Sequence, residues 1–307
     1  MVKLVATSVV RGSSQGESHG GVYLIDLHER AVDQVIDWDT ANIDWQGRGA
    51  DRGLRGIAFD GDTVYVAASD ELFAYDTSFR LLDSWRCPFL KHCHEITVYE
   101  RNLFLTSTGF DSIIGFDLDK KEFFWALHVD VKGFTFKAST YDPNGHDGPL
   151  ALQKMHINNV IASDAGMYIS GVRTGGMLHF NGKEIYMSAT LPDGTHNARP
   201  FRDGVLFNDT KADAVRYVSR EGTEDRSLPV PRYDRSELLF KGVDESKVAR
   251  QGFGRGLCEI SDHVVAAGSS PSTIAVHDLK ANKTVLKVNL SMDIRNAIHG
   301  LEVWPYD

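Results

Sequence analysis

His94, His156, His196 and His299, with Arg55 and Arg255, each open a short apolar segment that is followed by a turn and a second apolar segment. The segments begin RGIAFDGDTVYVAA at Arg55, HEITVYERNLFLTS at His94, HINNVIASDAGMYISG at His156, HNARPFRDGVLFND at His196, RGLCEISDHVVAAGS at Arg255 and HGLEVWPYD at His299. Four of the twelve histidines therefore share one position of a repeat. Neutral imidazole suits Fe, Zn, Mn, Cu or Ni, so several imidazoles gathered on one axis point to a bound transition metal ion. No Asp or Glu falls at an anchor position, which disfavours calcium and magnesium with their preference for oxygen. Arginine does not ligate metal, but its planar fork holds carboxylate or phosphate. The expected chemistry is a metal centre built by His94, His156, His196 and His299, with Arg55 and Arg255 as catalytic residues holding an anionic small-molecule substrate.

Only a closed repeat would bring such positions together. TVYVAA, NLFLTST, MYISGV and HVVAAGS are short, rich in β-branched and aromatic residues, and bounded by Asp-Gly, Asn or Ser-Asp turns. Helical periodicity is confined to RSELLFKGVDESKVARQ. HGLEVWPYD supplies one strand, and KLVATSVV and GGVYLIDLHERAVDQVIDW at the other end supply the rest of that unit. The expected fold is all-β, a six-bladed β-propeller spanning 1–307 as one domain, its sixth blade closed by N- and C-terminal strands. A two-sheet sandwich is the competing architecture, and it has no need of six similar strand starts.

Anchor intervals alternate between about 40 and about 60 residues, where a four-stranded blade needs about 40. The excess places long loops at about 40–54, 132–155 and 228–254, on the face where inner strands begin. Blade order sets His94, His156 and His196 side by side, opposite a His299 flanked by the two arginines. Within 132–155, YDPNGHDG lacks the spacing of a calcium loop and reads as a lid, with His146 a candidate general base. Cys93 should point away from its neighbour His94. Glu95, Glu259 and Glu302 either pair with the arginines or orient the imidazoles.

The formal charge of −9, from 33 Lys+Arg against 42 Asp+Glu with no basic run, argues against nucleic acid and against an anionic membrane surface. No stretch approaches the roughly 18 apolar residues of a membrane span, and the N-terminal apolar run lacks a signal-type cleavage context. Three cysteines outside any CxxC pattern fit reduced thiols in a cytoplasmic protein.

THNARPFRDGVLFND followed by GFGRGLCEISDHVVAAGSS, with MHINNVIASDAGMYISG, resembles the H-S-P-R, R-G-L and H-L-N-G signatures of an uncharacterised group of bacterial six-bladed propeller proteins. The resemblance covers about 150–307. Asn197-Ala198 stands where that group has Ser-Pro, and the group has no settled activity, so the resemblance implies fold rather than chemistry. A looser similarity is to carotenoid cleavage oxygenases, seven-bladed and longer, which hold iron with four histidines of inner propeller strands. It implies the same use for His94, His156, His196 and His299. The leading expectation is a metal-dependent enzyme acting on a small anionic metabolite at the channel mouth, with lyase, hydrolase and oxygenase chemistry all open. The competing one is a non-catalytic ligand- or protein-binding propeller whose histidines line a wet channel.

Overall fold

A computed structural model describes residues 2–41, 53–133 and 135–306. Strands dominate them, the only other regular elements being two single-turn 3-10 segments, so the chain is all-β. They form six antiparallel sheets, the blades of a β-propeller. Inside to outside, the first comprises Ile57–Asp60, Thr63–Ala67, Leu72–Asp76 and Leu81–Trp85. The second has Ile96–Tyr99, Asn102–Ser107, Ser112–Asp117, Glu122–Lys132 and a fifth strand, Thr135–Tyr141. The third has Ile157–Ser163, Gly166–Gly171, Gly176–Phe180 and Ile185–Thr190. Thr195–Phe201, Gly204–Asp209, Ala214–Ser219 and Asp225–Pro229 make the fourth. Gly252–Ser261, Val264–Ser270, Thr273–Asp278 and Lys283–Asn289 make the fifth. In the sixth, C-terminal Asn296–Val303 pairs with Lys3–Val10 (Leu4 opposite Val303, Ala6 opposite Leu301), followed by Gly21–Asp26 and Ala31–Asp37. Closure between the two termini is as the sequence predicts.

One local device repeats at the outer turn of each blade. The third strand ends on a short polar side chain whose oxygen accepts backbone N–H groups of the turn that follows. Asp26 takes His28 and Glu29, Asp76 takes Ser78 and Arg80, Asp117 takes Asp119 and Lys120. Asn181 takes Lys183 and Glu184, Ser219 takes Glu224, and Asp278 takes Ala281. These are the Asx and Ser turns for which such residues are favoured. The N–H of Arg80 is the main reason the Asp76 carboxyl is held below its ordinary range.

Two expectations are corrected. The segment 132–155 is not wholly loop: Thr135–Tyr141 pairs along Glu122–Lys132 (Lys132 opposite Thr135, Ala126 opposite Tyr141), so part of the excess length extends the blade. RSELLFKGVDESKVARQ forms no α-helix, only a turn at Lys241–Val243. It is pinned instead by Leu239, whose N–H donates to Met292 O at 2.9 Å and whose carbonyl accepts from Ile294, and by Arg295 stacked 3.6 Å over Phe240. The rest of 228–254 is the expected long connection. Of 40–54, positions 42–52 lie outside the described residues. No helix among the described residues is long and apolar enough to cross a membrane.

By contact the chain divides into two compact units, residues 56–207 and residues 1–55 with 208–307. In 56–207, Tyr65, Leu72, Cys93, Leu103, Phe116 and Phe123 fill one core, and Ile113, Leu127, Met155, Ile157, Ile169 and Leu178 fill the next. In the other unit Leu4, Ile25, Cys258, Ile274 and Ile298 share a core. Each core is made of facing residues from consecutive blades, the sheet-on-sheet packing that alternation provides. Cys87, Cys93 and Cys258 are buried and unbridged.

His277, wholly buried on Thr273–Asp278, contacts Thr284 Oγ1 through Nδ1 at 3.1 Å. Burial, then the nearby Lys287 charge, pushes its pKa down to about 4 from 6.5. Between those values the unfolded chain binds a proton that the folded one refuses. Stability therefore falls as pH falls through 6.5 and has lost about 3 kcal/mol by pH 4. In His277→Asn the urea-unfolding free energy is expected to fall less steeply over this window, by about 1.4 kcal/mol per pH unit at most. Equal slopes in the variant and the parent protein would refute it.

Candidate functional site

The unit 56–207 brings together His94, His156 and His196, all buried at 2%, 8% and 3% exposure. His94 and His156 lie with ring centroids 5.2 Å apart at 70°, and His196 is 6.4 and 6.3 Å from them. Their anchoring follows from where each segment enters its blade. His94 precedes Ile96–Tyr99, and its carbonyl accepts the N–H of Gly56 at 2.7 Å. A Cβ on Gly56 would come within 2.9 Å of that oxygen and 2.7 Å of Ile96 N, so the R-G dipeptide lets two inner strands approach closely.

Hydrogen-bond direction fixes the tautomer of two of the imidazoles. His94 Nδ1 lies 2.9 Å from the carbonyl of His92 and 2.9 Å from Thr108 Oγ1. A carbonyl can only accept, and the Thr108 hydroxyl donates to Ile157 O. Nδ1 of His94 therefore carries the hydrogen, and in the neutral ring Nε2 bears the lone pair. His196 repeats the pattern, with Nδ1 donating to Gly194 O at 3.1 Å. An Nδ1–H held by a carbonyl with Nε2 turned to the ligand is how metal-binding histidines are commonly oriented.

His156 sits in left-handed backbone, φ 54, as does Asn197 beside His196, also φ 54. Asn and His both enter this region more readily than most side chains, though it is uncommon for any residue but glycine. Asn197 Nδ2 donates to Glu95 Oε1 at 2.7 Å, with both side chains buried. Glu95 thus ties the His94 segment to the His196 segment. Replacing Asn197 with Ala removes a donor from a buried carboxylate in a strained position. A loss of about 3 kcal/mol in chemical denaturation is expected, and a loss below about 1 kcal/mol would show that this bond holds nothing together.

Arg55, Arg255 and His299 lie in the other unit. Arg55 is wholly buried, and its carbonyl accepts from the Thr7 hydroxyl. Arg255 Nη1 donates to His299 Nε2 at 2.7 Å. A guanidinium is always a donor, so the His299 Nε2 lone pair is engaged by arginine, and His299 serves beside that cation rather than ligating through this nitrogen. The Arg255 guanidinium also lies 4.6 Å from the Phe253 ring centroid, with Arg11 at 4.9 Å and Arg250 at 5.1 Å. Arg250 pairs with Asp213 at 2.9 Å. Sequence reading missed Phe253, Arg11 and Arg250, which share no position of the repeat.

His146 is not brought to the imidazoles. It is exposed on a turn whose Asn144 N–H donates to Asp142 Oδ1 and whose Asn144 side chain donates to Phe123 O. Phe123 pairs with Phe116, whereas Thr108, which holds His94, adjoins the opposite end of that strand at Ser112. Cys93 is buried in a core, and the strand begins only at Ile96, so strand alternation does not set its direction. Among the described residues no group of three or more His, Cys, Asp or Glu side chains lies in metal-ligating geometry. Three imidazoles sharing a metal through Nε2 would have centroids about 5 Å apart. His94 and His156 meet this, and His196 stands about 1 Å wider.

Six blades with a polar anchor at each inner strand define a six-bladed β-propeller. The chain is similar in fold to a structure determined in a nidogen/laminin complex, with a TM-score of 0.59 and 9% identity over 99% of this chain and 98% of that one. It is likewise similar to a protein of unknown function from Bacteroides caccae, with a TM-score of 0.57 and 10% identity over 99% of each. Likeness at such identity shows the fold alone. No family model matches the chain, and no curated protein matches its sequence.

Proposed function

We propose that the protein is a metal-dependent enzyme acting on a small anionic metabolite, with His94, His156 and His196 holding a transition metal ion of the Fe, Zn, Mn, Cu or Ni class. The observation that carries this is the convergence of three buried imidazoles, two with Nδ1–H donated to backbone carbonyls, so that Nε2 bears the lone pair a metal would need. The reading requires His196 to close by about 1 Å when metal binds. Three protein ligands leave coordination positions for water or substrate, the pattern of catalytic rather than structural sites. Such an ion supplies polarisation of a carbonyl or carboxylate, or activation of water or dioxygen. In the other unit Arg255 holds His299, and Arg55 and Arg255 are proposed there, in their own right, for a negative charge.

The motif likeness to the bacterial propeller group adds fold and not chemistry to this reading. Buried, unbridged cysteines and the acidic composition fit the proposed cytoplasmic location, with neither nucleic acid nor membrane as partner. Elemental analysis of protein purified without an affinity tag tests the proposal. Close to one equivalent of a single transition metal supports it. Metal far below stoichiometry, with no uptake on adding Zn2+, Mn2+ or Fe2+, would turn the reading to a non-catalytic binding propeller.

A further inference from the structure

One short turn touches both histidine segments. Thr108–Phe110 forms a single 3-10 turn after the strand Asn102–Ser107, closed by Asp111 in left-handed backbone, φ 47. From its start, the Thr108 hydroxyl accepts from His94 Nδ1 and donates to the carbonyl of Ile157. From its end, the Asp111 carboxylate accepts the N–H of Met155 at 3.1 Å through Oδ2 and that of Ile157 at 3.3 Å through Oδ1. Those two amides straddle His156, the residue held at φ 54. Thr108, Asp111 and His94 are all buried, so water does not substitute readily for these bonds.

The device recurs in the other unit. Asp213 stands four residues beyond the strand Gly204–Asp209, as Asp111 stands four beyond Asn102–Ser107. Its Oδ1 accepts the N–H of Phe253 at 3.0 Å, and Phe253 is again left-handed at φ 56, two residues before the anchor Arg255. Each case follows one of the long connections. There the chain re-enters a blade, and the carboxylate helps to set its register.

We infer that Thr108 and Asp111 are positioning residues: Thr108 sets the ring of His94 and links it to the strand after His156, and Asp111 holds His156 in the left-handed conformation that turns its imidazole toward His94. Their effect on metal binding rests on the proposed metal site; their effect on the two imidazoles does not. The cost of losing such a support is commonly about 10–100-fold in metal affinity.

The test uses the full chain and Co2+, followed by its visible absorption and by competition with a chelator. Thr108→Val and Asp111→Asn are expected to weaken binding by about 10–100-fold and to alter the band intensities, while Thr108→Ser, which keeps the hydroxyl, stays near the parent protein. Asp111→Asn keeps the shape of the carboxyl and loses one of its two acceptors, so it reports even where Thr108→Val folds poorly. Parent-like Co2+ affinity in both variants overturns the inference. If the parent protein itself binds no Co2+, the metal reading has failed, and metal-free NMR decides the positioning role alone. Side-chain 15N and 1H shifts of His94 moving in Thr108→Val, and those of His156 moving in Asp111→Asn, support it. Unmoved shifts in both variants overturn it.

Discussion

Replacing His156 with alanine is expected to lower the affinity for a divalent transition metal by about a hundredfold to a thousandfold. Apparent binding free energies of four-ligand zinc sites are about 10–16 kcal/mol, so each ligand accounts for roughly 2.5–4 kcal/mol, which is about a hundredfold to a thousandfold. His156 is the informative position because it lies nearest His94, at 5.2 Å between centroids, and because its backbone is unusual. Alanine has no special tolerance for φ 54, so part of its effect would be on folding. His156→Asn separates the two effects, since Asn is at ease in left-handed backbone and gives up the imidazole. Both variants should lose metal in a Zn2+ competition titration, while His28→Ala, altering an exposed histidine paired with Glu29, should not. If His156→Asn binds as tightly as the parent protein, His156 is not a ligand and the proposed centre is wrong.

Gly300→Ala should destabilise the fold by about 4 kcal/mol, enough to lower the melting temperature by roughly 6 °C in a chain of this size. The residue follows the anchor His299 and packs on the segment carrying Arg55. An added Cβ would stand 2.2 Å from the Arg55 carbonyl oxygen and 2.9 Å from Thr7 Oγ1. Neither neighbour can retreat cheaply. The Thr7 hydroxyl donates to that carbonyl and accepts the N–H of Gly300 at 2.8 Å, so the three groups are locked together inside the protein. Gly61→Ala provides the contrast: the turn glycine has φ 55 but nothing within 4 Å of its would-be Cβ, so only backbone strain of about 1 kcal/mol is at stake. Urea denaturation of the two variants side by side reads the difference. Equal losses would mean that close approach is not what the glycine after the anchor provides.

Local grammar made much of this fold legible. A strand needs only alternation and a turn residue two to four positions away. Hence TVYVAA, NLFLTST, MYISGV and HVVAAGS, with Asp76, Asp117, Asn181 and Asp278 at their outer turns, could be read directly. What alternation does not encode is where a strand stops being needed, so the hairpin that adds Thr135–Tyr141 was hidden inside a polar segment with few apolar residues facing a core. RSELLFKGVDESKVARQ shows the converse. Its periodicity could favour a helix, but bonds from Leu239 to Met292 and Ile294 satisfy its backbone another way.

The repeat by itself determined that four histidines and two arginines occupy equivalent places in six blades, because equivalence is a matter of spacing along the chain. Tertiary structure decided what each does there. It gathered His94, His156 and His196, gave the Nε2 of His299 to Arg255, and left His146 exposed on a turn anchored elsewhere. It also fixed the tautomer of His94 and His196, through the carbonyls of His92 and Gly194 and through a threonine hydroxyl whose own proton goes to Ile157, 49 residues away. A hydrogen bond has a direction, and that direction is settled by the whole network of partners, which exists only once the distant segments have met.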